Sequence, residues 1–123
     1  MNAVIDTALS ATVTVSDATY ARFTRFFNTT DITGYERAES AFLNTRSDSA
    51  DHVIHKLQLA ESYFDESGCD AERDITRVVI DLVRQGEIDN AIYYATAIAN
   101  SDTVEDYCAD PIRSAIADLQ GIN

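Results

Sequence analysis

Apolar side chains recur every three or four positions along most of the chain, which is the spacing of one face of an α-helix. The clearest case follows Ser49, where Val53, Leu57, Ala60 and Phe64 form one apolar face. Only 4 glycines and 1 proline are present, too few for the many turns of an all-β domain. The pattern therefore predicts an all-α protein.

Polar capping residues and glycines divide this pattern into five or six helices. Gly68, Gly86 and Gly121 follow three of them, because glycine readily adopts the left-handed conformation that ends a helix. Short connections between helices favour a compact antiparallel bundle. The residues that mark predicted helix starts are Ser16 or Asp17, Thr30 or Asp31, Ser49, Asp70, Glu87, and Asp110 with Pro111.

The first 15 residues depart from the helical pattern. They end in the alternating, β-branched run ATVTV, which favours an extended chain over a helix. We therefore expect an extended arm or a single strand over residues 1–15. No linker or internal repeat divides residues 16–123, so we expect one helical-bundle domain there.

The fourth predicted helix has a strongly apolar character on one side. Its periodicity predicts that five aliphatic side chains face the core. They are Ile75, Val78, Val79, Leu82 and Val83.

The chain carries a large negative charge that is unevenly distributed. The 21 Asp and Glu residues oppose 9 Lys and Arg residues, so the net charge is −12. Residues 1–47 hold five acids and four arginines, and residues 48–123 hold sixteen acids and five bases. Such a charge argues against direct binding of nucleic acid or anionic lipid, which requires lysines and arginines to displace counterions. No apolar run is long enough to span a bilayer, so we expect no membrane binding.

Two acidic clusters account for much of this charge, and they have two interpretations. The individual acids can cap helices, favour helix N-termini or form a solvated face. Alternatively, they form a carboxylate-rich face that docks on the basic surface of another protein. The first cluster comprises Glu61, Asp65, Glu66, Asp70, Glu72 and Asp74, opposed by Arg73, and the second comprises Asp102, Glu105, Asp106 and Asp110.

The docking interpretation names the residues that we expect to contact the partner. Glu61, Asp65, Glu66, Asp74, Glu105 and Asp106 lead the carboxylate face. Exposed ion pairs contribute little free energy, so tight binding also needs apolar anchors. We expect Tyr93, Tyr94 and Tyr107 to lie near the surface and to supply them. The expected partner is a basic host protein, such as a nucleic-acid-binding effector complex.

Catalytic motifs are missing from the sequence, so we expect a non-enzymatic protein without a cofactor. The chain has no phosphate-binding glycine loop and no nucleophile elbow. His52 and His55, three positions apart on a predicted helix, are the weak candidates for metal ligands. A stable metal site needs further ligands, and the spacing fixes none.

Part of the chain resembles small helical proteins of bacterial prophages and mobile elements. The resemblance covers residues 42–86, through TRSDSA at 45–50, His55-Lys56-Leu57, and ITRVVIDL at 75–82. In size, charge and lack of catalytic motifs the chain is also similar to small acidic phage-encoded proteins, including anti-CRISPR inhibitors and nucleic-acid mimics. This resemblance implies an inhibitor that occludes a basic nucleic-acid-binding surface.

Two alternatives belong to other functional classes. Arg46 and His52 resemble the arginine–histidine element of the HEPN ribonuclease families, which are also small helical bundles. That resemblance implies RNA cleavage at a dimer cleft, with His52 as general acid/base and Arg46 holding phosphate. The other alternative is a structural homodimer that uses Phe23, Phe26, Phe27 and Tyr35; the protein is then a homodimer rather than a monomer.

The expected location is the cytoplasm, that of an infected bacterial host in the phage interpretation. The N-terminus lacks a positively charged region, and Asp6 interrupts its first apolar stretch, so we expect no secretory signal. Cys69 and Cys108 match no metal or redox spacing, and we expect two reduced thiols, at least one of them partly buried.

Overall fold

The computed structural model describes residues 15–122, which contain six α-helices and no strand. The predicted all-α class is confirmed. The arm or strand expected over residues 1–15 lies outside the described residues, except for Val15, which begins the first helix. The chain divides into two compact units, Met1–Asp48 and Ser49–Asn123. The single domain expected over residues 16–123 stays a prediction.

The N-terminal unit contains α1 (Val15–Thr24) and α2 (Ile32–Asn44), which pack against each other. Asp31 caps α2, as predicted, because its carboxylate accepts a hydrogen bond from the Gly34 N–H at 2.9 Å.

Phe23 forms the centre of an aromatic cluster in this unit. Its side chain is fully buried, and its ring centroid lies 4.9 Å from that of Phe27, 5.0 Å from Tyr35 and 5.5 Å from Phe42. Aromatic rings at these distances stabilise one another beyond their burial. Several residues that we assigned to self-association therefore already pack within one chain, and the homodimer stays a prediction.

The C-terminal unit contains four helices with short connections, which are α3 (Ala50–Glu66), α4 (Asp70–Arg84), α5 (Ile88–Ala99) and α6 (Asp106–Ile122). α3 packs against α4 and α6, and α5 packs against α4 and α6. The apolar face of α3 is buried as predicted, and the core also contains Ala91, Ala95, Ile98, Ile112, Ala115 and Leu119. Gly68 and Gly86 have φ of 74° and 77°, the left-handed conformation expected after α3 and α4.

Two contacts establish the relative direction of α3 and α6. Lys56 near the start of α3 is paired with Asp118 near the end of α6, with 2.6 Å between Nζ and Oδ2. Ser67, directly after α3, is hydrogen-bonded to Tyr107 in the first turn of α6. The two helices therefore run antiparallel, and this unit confirms the predicted antiparallel bundle.

The predicted start of the last helix at Asp110-Pro111 is wrong. α6 begins at Asp106, so Pro111 lies inside the helix, and Gly121 also belongs to it. Pro111 lacks the N–H that would bond the carbonyl four residues earlier. The first turns of α6 bury Cys108 and Ala109, and this apolar burial favours a helix that begins before Pro111. The prediction considered only the residues next to the proline, so it did not include this burial.

The face that α4 presents to the core also differs from the prediction. Thr76 and Ile80 are buried with Val79 and Val83, whereas Ile75 and Val78 are exposed. Thr76 can be buried because its hydroxyl donates to the Glu72 carbonyl at 2.7 Å. Because threonine is a polar residue, the apolar pattern did not identify position 76 as part of the core.

Candidate functional site

The connection between α3 and α4 places the first acidic cluster at one end of the C-terminal unit. Ion pairs link the two helices, from Arg73 to Asp65 at 2.7 Å and from Arg77 to Glu61 at 2.6 Å. The paired positions move by four residues in opposite directions, so α3 and α4 are antiparallel here. Cys69, rather than the predicted Asp70, is the N-cap residue of α4.

Arg73 is the centre of this ion-pair network. Its guanidinium lies 2.7 Å from Asp65 and 3.2 Å from both Asp70 and Asp74. The hydrogen bonds to Asp65 and Asp74 raise the pKa of this guanidinium. One arginine is therefore shared among three carboxylates, which remain mostly exposed to solvent.

The start of α6 lies against the same end of the unit. The Ser67 hydroxyl is hydrogen-bonded to the Tyr107 hydroxyl and lies 3.8 Å from the Cys108 sulfur. The Tyr107 ring packs against that of Tyr63, with 5.7 Å between centroids. These contacts bring the start of α6, with Glu105 and Asp106 of the second acidic cluster, next to the first cluster.

Carboxylates from both acidic clusters raise the pKa of Cys69. It is raised first by partial burial, and then by the nearby Glu72, the Cys108 thiol, Glu105 and Asp70. Each carboxylate opposes formation of a thiolate. Glu105 belongs to the second cluster, yet it acts on a thiol at the α3–α4 connection.

Tyr107 has a raised pKa in the same environment. Its hydrogen bond with Ser67 lowers the pKa, but contact with Cys108, partial burial and the negative charge of Glu105 outweigh that effect. The phenol therefore stays protonated and keeps its hydrogen-bonding capacity over the ordinary pH range.

We define the acidic surface as nine carboxylates at this end of the C-terminal unit, together with Tyr107. Arg73, Arg77 and Arg113 are the arginines paired with them, so negative charges exceed positive ones by six. Arg113 lies 3.4 Å from Asp106 and 3.3 Å from Asp110. The nine carboxylates are Glu61, Asp65, Glu66, Asp70, Glu72, Asp74, Glu105, Asp106 and Asp110.

Seven of the nine residues predicted to contact a partner belong to this surface. The two others, Tyr93 and Tyr94, lie on α5, where their rings pack edge to face at 5.3 Å. They are 70% and 43% exposed, and Tyr107 is 49% exposed, so the predicted surface location of the tyrosines is confirmed. Ser67 was not predicted, since a serine after a helix has no feature that distinguishes it from an ordinary turn residue.

The residues of the alternative interpretations are not among those of the acidic surface. The His52 and His55 rings are 5.4 Å apart on α3, and no group of three or more potential metal ligands occurs within residues 15–122. Arg46 is an exposed residue of the N-terminal unit, and His52 is a buried residue of the C-terminal unit. The ribonuclease alternative stays a prediction.

Comparison with protein-family models, with curated proteins and with solved structures finds no match to this chain.

Within the described part of the chain, no helix combines the length and apolar character needed to cross a membrane. Cys69 and Cys108 are both free thiols, one partly buried and the other buried.

Proposed function

We propose that the acidic surface binds the basic surface of another protein, and that the protein acts by occupying that surface. The observation that carries this proposal is the meeting of two acidic clusters that are distant in sequence. The hydrogen bond between Ser67 and Tyr107 holds the start of α6 beside the α3–α4 connection, where the two clusters meet. Capping of individual helices by single acids does not account for this arrangement. A concentrated negative field attracts a basic partner and selects against neutral or acidic ones.

The charge balance of the acidic surface supports binding rather than internal compensation. Glu66, Glu72 and Glu105 make no ion pair among the described residues, and the other six carboxylates share three arginines. A partner that supplies lysines and arginines would relieve this repulsion. Much of the gain would appear as a faster association rate.

Tyr107 supplies an apolar element within the acidic surface. Half of its side chain is exposed. Its hydroxyl is hydrogen-bonded to Ser67, and its ring packs against that of Tyr63. An aromatic side chain that is already oriented loses little conformational entropy on binding, and tyrosines are frequent binding hot spots. Tyr107 therefore supplies the short-range contact that exposed charges alone do not provide.

A basic protein surface that ordinarily holds nucleic acid is the best match in charge. Occluding such a surface requires no catalysis by this chain. The small acidic phage-encoded inhibitors that the sequence resembles in type are expected to act in this way. The specific form of our proposal is therefore an inhibitor of a host nucleic-acid-binding effector complex.

The test compares two variants from which equal numbers of charges are removed. The surface variant combines Asp65→Asn, Asp70→Asn, Glu105→Gln and Asp106→Asn. The control variant combines Glu36→Gln, Asp48→Asn, Asp51→Asn and Asp89→Asn, all exposed acids outside the acidic surface. Basic proteins captured from host lysate on the wild-type protein are purified singly, and their affinity is measured from low to high salt, with and without nucleic acid.

We expect affinity to fall steeply with salt and nucleic acid to compete for the partner. The surface variant should bind at least about tenfold more weakly, whereas the control should stay within about twofold. Affinity that is independent of salt, or equal losses in both variants, would contradict the proposal.

A further inference from the structure

A line of apolar side chains remains exposed along α4. Ile75 and Val78 are 40% and 48% exposed, Ala71 is exposed and Leu82 is partly buried. These four residues, which we call the apolar stripe, lie at the spacing i, i+4, i+7 and i+11 of one helix face. The stripe is about 16 Å long at 1.5 Å per residue, which matches three turns of a docked helix.

The position of the apolar stripe on α4 follows from the ion pairs of that helix. Arg73 and Arg77 bond to residues of α3, so their side of α4 faces α3. At 100° per residue the stripe falls on the opposite side, next to α5.

Carboxylates line one edge of the apolar stripe. Asp70, Asp74 and Asp81 are each exposed and lie between the stripe and the arginines of α4. Each of these carboxylates is paired with an arginine of α4, since Arg73 contacts Asp70 and Asp74, Arg77 also contacts Asp74, and Arg84 contacts Asp81. Arg73 and Arg77 are shared with Asp65 and Glu61 of α3, so this network has five carboxylates for three arginines. The edge nearest the stripe therefore keeps an excess of negative charge.

This charge distribution selects among the occupants of the stripe. Two copies of α4 packed antiparallel about a two-fold axis would bring the same edge of each helix together. Asp74 and Asp81 of one copy would then face the acidic edge of the other, which is repulsive. A basic segment, in contrast, would meet apolar side chains and carboxylates side by side.

We propose that the apolar stripe is the docking site for a basic amphipathic helix of the partner protein. The helix places apolar side chains at i, i+3, i+4 and i+7 on the stripe, and its lysines or arginines contact Asp70, Asp74 and Asp81. This inference rests on the proposed function, because it specifies the form in which a basic partner is recognised. It also explains why the α4 aliphatic side chains face solvent instead of the core.

The test uses the full chain with labelled Ile and Val methyl groups and three synthetic probes of equal positive charge. The probes are a Leu–Lys amphipathic helical peptide, a scrambled peptide of the same composition, and oligolysine. The variant is Ile75→Ser with Val78→Ser, and the control is Ile32→Ser, another strongly exposed isoleucine. Because the substituted side chains are exposed, folding should be retained, and circular dichroism checks this.

The amphipathic peptide should shift the methyl signals of Ile75 and Val78 and bind more tightly than the other two probes. The double variant should bind it at least about tenfold more weakly, and the Ile32→Ser control should bind it as the wild type does.

Other outcomes would overturn this inference. Equal binding of all three probes, unaffected by the double variant, would leave the acidic surface as the sole site, and the proposed function would stand. Failure of all three probes to bind would count against both. A dimer that the double variant abolishes would assign the stripe to a second copy. If deletion of residues 2–14 shifts the methyl signals of Ile75 and Val78 and the peptide does not, the apolar stripe would be assigned to this chain's own N-terminal segment.

Discussion

The chemistry of Cys69 depends in part on the acidic surface. Its thiol lies at the α3–α4 connection, where partial burial raises its pKa and Glu72, Cys108, Glu105 and Asp70 raise it further. A thiolate there would add negative charge to a region that already has an excess of it. We therefore expect this thiol to react more slowly with alkylating agents at neutral pH than an ordinary cysteine does, because the thiolate is the reactive form.

Replacing Glu105 by Gln should speed alkylation of Cys69. Removal of a neighbouring negative charge lowers the pKa of the thiol, so more thiolate is present at a given pH below that pKa. The measurement is the rate of reaction with iodoacetamide against pH, in a Cys108→Ala background so that one thiol reports. Glu87→Gln, an exposed acid beyond the opposite end of α4, should leave the profile unchanged. Superimposable profiles for Glu105→Gln and its parent would show that the two clusters do not share a field.

At the level of elements, Lys56 and Asp118 connect α3 to α6 inside the C-terminal unit. Their side chains are 1% and 5% exposed, and 2.6 Å separates Nζ from Oδ2. Lys56 falls on the buried face of α3 by its spacing from Val53 and Ala60, although lysine is rarely buried without a partner. Asp118 supplies that partner, and the pair favours one register of the two helices.

Removing one partner of this buried pair should destabilise the protein more than substituting both partners by apolar residues. Lys56→Met leaves the Asp118 carboxylate buried without its cation, and we expect a loss of about 3–5 kcal/mol in the free energy of unfolding. Lys56→Met combined with Asp118→Leu should recover most of that loss, since apolar side chains pack well in this core. Urea denaturation of the parent, both single variants and the double variant measures the coupling. Equal stability of Lys56→Met and its parent would contradict this role.

For the whole molecule, the division into two units has a consequence for folding. The buried cluster formed by Val53 to Leu119 consists entirely of residues from the C-terminal unit. That unit also carries all nine carboxylates of the acidic surface. In contrast, the described part of the N-terminal unit contains helices of 10 and 13 residues, lengths that are marginal for isolated helices in water.

A fragment covering residues 49–123 should therefore fold on its own. We expect a helical circular dichroism spectrum and a cooperative thermal transition, because every residue of that buried cluster belongs to this fragment. The fragment covering residues 1–48 should show much weaker helicity and no comparable transition. A broad, non-cooperative melt of the 49–123 fragment would show that its stability depends on the N-terminal unit.

Local physical chemistry accounts for what could be predicted from the sequence. Helix positions depend on periodicity, on caps such as Asp31, and on glycines such as Gly68, all of which act within a few residues. The same local rules failed at Pro111, where burial of the preceding turn outweighed a missing hydrogen bond. They also failed on α4, where Thr76 occupies a core position in place of Ile75 or Val78. Its hydroxyl can be buried because it donates a hydrogen bond to a backbone carbonyl of the same helix.

The amino-acid sequence by itself determined the helical class, most helix ends and the excess of acid in the C-terminal part of the chain. Only the tertiary structure decided that the two acidic clusters meet, that Ser67 contacts Tyr107, and that Lys56 finds Asp118. These facts depend on the direction and register with which α3, α4 and α6 pack. Register is decided by side chains from distant parts of the chain fitting together, and periodicity within one helix carries no information about that fit.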